Sequence, residues 1–284
     1  TLWDDAPRWI SAGLLTTGEL GYWWTPVTAL LIPGSLLDAV LAIALAATVM
    51  AYAERLLGSV RTVVLFFVTG VLGVLLGVGL QALAVFWRES WARVTHLDLV
   101  LDPQLGIIGV VMAGSALAPA LFRRRIRVVG FAGLIMFVLY AGDADSVYRL
   151  LAAVVGYVAG LVLTRGTAHP AWRHSSIKET RILVAVLVAV TGLGPLIVIL
   201  SGAARGPLAI IVTGLSPASQ DAALARCGTE VTRACEAAAA LALTAGTGPF
   251  VLSLVPLLLS LAAAWGLRTG RRSAWILALV VNAV

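Results

Sequence analysis

Charge is scarce in this sequence: only 12% of its 284 residues are Asp, Glu, Lys or Arg, against 60% that are hydrophobic, and mean hydropathy is +0.99. An average soluble domain carries about 25% charged residues, so a water-soluble fold could not hide this much apolar surface. Lysine is almost missing, with Lys178 alone among 20 basic residues. The net charge of +6 does not imply nucleic acid, because the arginines sit in short segments between apolar runs. There they act as topology signals and contacts for anionic headgroups. Histidine is rare too: His96, His169 and His174 all fall between the runs, so no imidazole is available inside a span. With no carboxylate spacing to support them, they make no metal site. The two cysteines, Cys227 and Cys235, permit a single disulfide or two thiols. No phosphate-binding glycine loop, paired catalytic carboxylates, nucleic-acid module, repeat or low-complexity segment is present.

What remains is an all-α integral membrane protein, a polytopic helix bundle. Apolar runs at 27–52, 62–86, 104–122, 128–141, 147–164, 182–201 and 249–267 are expected to cross, and an eighth begins near 274. A crossing helix needs about 20 apolar residues, so the last run reads as a truncated span and the chain as a fragment of a longer one. Counting Lys and Arg in alternate loops gives thirteen against seven. The richer side, with loops 53–61, 122–127, 165–181 and 268–273, is then cytoplasmic in a plasma membrane. Residue 1 and loops 87–103, 142–146 and 202–248 lie outside, where Cys227 and Cys235 would meet oxidising conditions. All nine Trp fall in loops or at predicted span ends, where an indole prefers the interface. The polar stretch 166–181 separates a first bundle, 1–165, from a second membrane region, 182–284.

The first bundle resembles the rhomboid intramembrane protease family over about residues 20–164. The residues that carry the resemblance are Gly21-Tyr-Trp-Trp-Thr-Pro-Val-Thr28 with Pro33-Gly-Ser-Leu-Leu-Asp38, then Glu54-Arg-Leu-Leu-Gly58-Ser. Gly106-Ile-Ile-Gly109 and Gly156-Tyr-Val-Ala-Gly160 follow in order. The resemblance implies a rhomboid-like bundle, here missing its first helix, followed by additional C-terminal transmembrane helices. It also implies lost chemistry. The nucleophile position is Ile108 and the base position Ala153, while the family's second-helix polar positions hold Pro33, Asp38 and Ala42. Without a hydroxyl and a base there is no acyl transfer. Ser115 lies about two helical turns from Ile108, too far to substitute.

Asp38 and Arg149 are the ionisable residues expected inside or at the outer ends of spans, where such groups are functional candidates by default. They could pair in an outward-facing pocket that meets a lipid headgroup, form a structural ion pair, or reach interfacial water separately. Asp143 and Asp145 could also neutralise Arg149. Arg88 and Arg93 would stand at the outer rim. The Arg123-Arg-Arg-Ile-Arg127 cluster reads first as a cytoplasmic stop signal, and Gly192-Leu-Gly-Pro195 as a packing kink.

Such bundles resemble the membrane part of actinobacterial phosphatidylglycerol aminoacyltransferase–flippase proteins. That resemblance implies a chain that binds or translocates anionic phospholipid, needs no cofactor and serves a fused or associated cytoplasmic catalytic domain. The alternative is a rhomboid pseudoprotease acting as a scaffold for transmembrane-helix partners, or as a homo-oligomer.

Overall fold

The computed structural model describes residues 8–165, 177–201, 206–208 and 247–283. Among them there is no strand, only one antiparallel bridge between Ala12 and Val100. Two single turns of helix, Leu14–Glu19 and Thr25–Thr28, precede ten helices. These are α1 (Leu36–Leu57), α2 (Ser59–Phe86), α3 (Ser90–Val94), α4 (Gln104–Gly114) and α5 (Ala120–Tyr140). They continue with α6 (Ala144–Leu163), α7 (Ile177–Thr191), α8 (Gly194–Ser201), α9 (Thr247–Thr269) and α10 (Arg272–Ala283). Three of them, α1, α2 and α6, are long and apolar enough to cross a membrane.

Several boundaries differ from the sequence expectation, each for a local reason. The first long helix starts at Leu36, not near 27, because Pro33 and Gly34 interrupt the chain and Ser35 caps the new helix by accepting from Asp38 N. It continues past 52 to Leu57 through a π-helical stretch, Ala46–Met50, and turns at Gly58 with φ +84°. The run 104–122 yields a helix of only 11 residues, about 16 Å at 1.5 Å per residue, roughly half the hydrocarbon thickness. Residues 122–127, expected as loop, form the first turns of α5. Arginine is a good helix former, and α5 begins directly after Pro119. The loops expected at 142–146 and 268–273 shrink to tight turns, since Asp143 caps α6 through Ser146 N and Gly270, φ +81°, lets α10 fold back after α9. The run 182–201 starts earlier, at Ile177, and breaks at residues 192–193.

The chain divides into two compact units, Thr1–Phe131 with Asp143–His169, and Ala132–Gly142 with Pro170–Val284. In the first, α4 is the innermost element: Leu105, Val110 and Ala113 are fully buried. Close helix approach comes from absent side chains. A Cβ on Gly156 would overlap the Gly109 carbonyl, one on Gly109 would overlap Thr69, and ones on Gly73 and Gly77 would strike Ala152 and Tyr148. Small residues at helix crossings are how helices associate where lipid tails are as apolar as leucine. In the second unit α7, α9 and α10 meet through Ala185, Ala263, Ala264, Leu267, Ala274 and Ala278, and Gly192 abuts Ser260.

Candidate functional site

One end of the first unit is assembled from segments distant in sequence. Trp9, Tyr22 and Trp24 stack with ring centroids 5.0 and 5.1 Å apart, and the Trp24 indole N–H donates to Trp9 O (3.0 Å). Thr28 Oγ1 donates to Ile10 O (2.7 Å). The loop after α3 is tied to this layer by the Ala12–Val100 bridge, by Asp102 N to Ala29 O (2.9 Å) and by Gly34 N to Leu101 O (3.0 Å). Three backbone tethers thus hold Asp102 against the start of α6.

There the Asp102 carboxylate accepts from Gln104 N through Oδ1 (2.9 Å) and from Arg149 Nε through Oδ2 (2.7 Å). Arg149 Nη2 reaches Asp145 Oδ2 at 2.6 Å, one helical turn earlier on α6. Asp102 is 2% exposed and the Arg149 side chain 12%, so this cluster is inside the protein. Beside it runs a second buried network: Tyr148 Oη donates to Gln81 Oε1 (2.5 Å), and Gln81 Nε2 donates to Thr95 O and Oγ1 (3.1 and 2.9 Å). Two buried atoms of this end, Gln104 Nε2 and Asp145 Oδ1, have no hydrogen-bond partner.

Arg149 does not pair with Asp38. Helix α1 begins only after the Pro33–Gly34 turn, which leaves Asp38 exposed in the first turn, where Ser35 Oγ donates to its Oδ2 (2.7 Å). Asp102 takes the place proposed for Asp38, and Asp145 takes the second half of the guanidinium. Sequence reasoning passed over Asp102 because it belongs to a segment read as loop. The available signal was Asp102-Pro103 directly before the α4 run, an acidic residue positioned to close a turn at a helix start. Arg149 is therefore already neutralised twice. Arg88 and Arg93 are both exposed; Arg88, at the end of α2, has φ +59°, and its neighbour Trp87 is 64% exposed.

No hydrolytic arrangement forms around Ile108 and Ala153; Ala153 is fully buried on α6. Ser115 Oγ donates to Met112 O (2.6 Å) and accepts from Arg127 Nε (3.0 Å), so its hydroxyl is committed to structure. His96 bonds Glu19 (2.8 Å). Among the described residues no group of His, Cys, Asp and Glu could hold a metal ion. Cys227, Cys235, His169 and His174 lie outside the described residues.

No protein-family profile matches the chain, and no solved structure matches it. It is similar to an uncharacterized protein of Corynebacterium glutamicum, with 32% identity over 241 residues. The match takes in 81% of this chain but only 30% of that protein, so the chain spans less than a third of the relative's length.

Proposed function

We propose that this chain is the multi-pass plasma-membrane module of a lipid-handling protein of the aminoacyl-phosphatidylglycerol synthase and flippase type. It binds or translocates anionic phospholipid, while aminoacyl transfer takes place in a cytoplasmic domain of a longer polypeptide. The observation that carries this reading is the buried Asp102–Arg149–Asp145 cluster with its unfilled polar atoms, Gln104 Nε2 and Asp145 Oδ1. Buried polar groups left unsatisfied call for an explanation, and a headgroup that supplies hydroxyls is one. Because Arg149 is neutralised, the phosphate falls to Arg88 and Arg93, exposed at the same end near Trp87. The tight glycine crossing of α4 on α6 supports a rhomboid-like bundle that has lost its hydrolytic groups. The matched region is a minority of the relative, which is consistent with a further domain in such proteins.

A second reading has one observation in its favour. Helix α1 is the least buried of the three candidate spans and exposes Leu36, Leu37, Val40 and Ile43, a face that could receive a transmembrane partner of a pseudoprotease scaffold.

Lipid extraction from the purified full-length protein separates the two. Enrichment of phosphatidylglycerol that falls in an Arg88→Gln/Arg93→Gln double variant supports the lipid role. Stoichiometric co-purification of a single-span protein, without lipid enrichment, replaces it by the scaffold.

A further inference from the structure

The first long helix is held at its ends and not along its length. Ahead of it Ala29 and Leu30 are buried, and Leu30 fills the space that a side chain on Gly70 of α2 would take. At its far end Ala53 and Leu57 are buried against α4, where Gly114 lets them approach. Between these anchors residues 31–37, 40, 41, 43 and 44 are exposed, and Ala42 is the one buried residue in 31–50. The side chains that stand clear in α1 are Leu36, Leu37, Val40, Leu41 and Ile43, a set suited to hydrocarbon and not to water.

Regular helix fails at both junctions that bound this loose stretch. At one, Pro33 and Gly34 interrupt the chain, and Gly34 N donates to Leu101 O (3.0 Å). Among the described residues that is the one hydrogen bond from 31–45 to a remote segment. At the other, Ala46–Met50 is π-helical, and Thr48 Oγ1 turns back to donate to Ala44 O (2.6 Å). π-helical turns and hydroxyl back-bonding are places where helices bend. Directly after Leu101 come Asp102 and Gln104, and the Gln104 Nε2 is buried without a partner. A buried donor left unfilled is a cost of the closed arrangement, and opening to a ligand relieves it.

We propose that residues 35–45 are a side gate of the first unit, swinging on the π-helical stretch with the Gly34–Leu101 bond as its latch. Opening admits a phospholipid from the bilayer to the Asp102–Gln104 end. Because Leu30 and Leu57 stay anchored, position 40 moves and position 52 does not. The motion rests on the fold alone, whereas the identity of the entrant rests on the lipid-handling reading. The gate also explains why the latch is a single backbone bond: one such bond is weak enough to break in thermal equilibrium and strong enough to set which state predominates.

The test is electron–electron distance spectroscopy on the full-length protein in phosphatidylcholine nanodiscs. Spin labels on a ketone-bearing amino acid at positions 40 and 83 follow the gate against α2, and labels at 52 and 83 follow the anchored part. Cysteine then remains for the latch. The Cβ that Gly34 lacks would lie 3.7 Å from Leu101 Cβ, within the span of a disulfide. Gly34→Cys/Leu101→Cys in a Cys227→Ser/Cys235→Ser background therefore locks the gate on oxidation. The 40–83 pair should give two distances, of which the longer disappears on oxidation and returns on reduction. Gly34→Pro removes the latch donor and should raise the ratio of longer to shorter distance about fivefold, the worth of one backbone hydrogen bond. The 52–83 pair should keep one distance throughout. A single 40–83 distance in the parent, the oxidised protein and Gly34→Pro alike would overturn the gate, as would equal changes at 52–83. Uptake of phosphatidylglycerol from donor vesicles should be lost on oxidation and recovered on reduction. Motion with uptake indifferent to the latch would refute lipid entry, and with it the lipid-handling reading, while the hinge stands.

Discussion

Replacing Arg149 by Met removes the only cation from a cluster of carboxylates while roughly preserving side-chain length. Asp102 is 2% exposed and cannot turn to water, because its backbone is tethered to Ala29 and its Oδ1 is held by Gln104 N. Breaking a buried ion pair by removing one partner is worth ~3–5 kcal/mol, since it leaves an uncompensated buried charge. Asp145, with 25% of its side chain exposed, adds little to that figure, as water screens the orphaned charge. For a chain of this size each kcal/mol corresponds to about 2–4 °C, so the melting temperature in detergent should fall on the order of 10 °C. The same substitution in an Asp102→Asn/Asp145→Asn background removes the stranded charges along with the cation, and most of the loss should disappear. Thermal melting of the four proteins, followed by tryptophan fluorescence, measures both effects. An Arg149→Met protein melting within a degree or two of the parent would refute the buried cluster. A triple variant as unstable as the single one would refute its electrostatic origin.

Gly156→Ala should destabilise by ~1–3 kcal/mol, because the new methyl overlaps the Gly109 carbonyl and forces α4 from α6. Gly79→Ala, where nothing lies within 4 Å, should instead be neutral or gain up to ~1 kcal/mol of helix propensity; equal melting shifts in the two variants would count against this packing. Tyr148→Phe orphans Gln81 Oε1 and should lose about 1–3 kcal/mol, read by the same melts. In a Cys227→Ser/Cys235→Ser background, an impermeant maleimide should label Arg88→Cys in intact cells and Arg124→Cys only after permeabilisation; the reverse pattern would invert the topology. The chain should take up no serine-directed fluorophosphonate probe, and labelling that competes with peptide substrate would restore a protease reading.

The long apolar helices could be read directly from the sequence, because mean hydropathy and run length act through local composition alone. Their ends were less legible. Arg123–Arg127 looked like loop because charge was taken to end a span, whereas arginine continues a helix readily. The 104–122 run looked long enough to cross, but its helix stops at Gly114, where a turn through residues 115–118 leads to Pro119. The candidate site was half legible. Arg149 stood out as a charge at the head of an apolar run, and Asp145, one turn away on the same helix, was available as its partner by periodicity.

Asp102 is different. It lies 47 residues from Arg149, in a segment with no helical or alternating pattern, and reaches the guanidinium only because Ala12, Ala29 and Gly34 hold its backbone in place. Which carboxylate meets a buried cation depends on backbone hydrogen bonds between remote segments, and those have no periodic trace in the chain. Composition and run length alone determined an all-helical bundle with a charge-poor interior, and they picked out Asp38 and Arg149 as ionisable residues inside or at the outer ends of spans. Tertiary structure decided that Asp102 and Asp145 neutralise Arg149 while Asp38 is taken up locally by Ser35, the cap of its own helix. It also decided that the glycines of α4 and α6 face each other, and that Arg125, alone in its cluster, keeps a sealed donor unfilled. Apolar burial is additive along a chain, whereas pairing of charges depends on where the fold brings their atoms together.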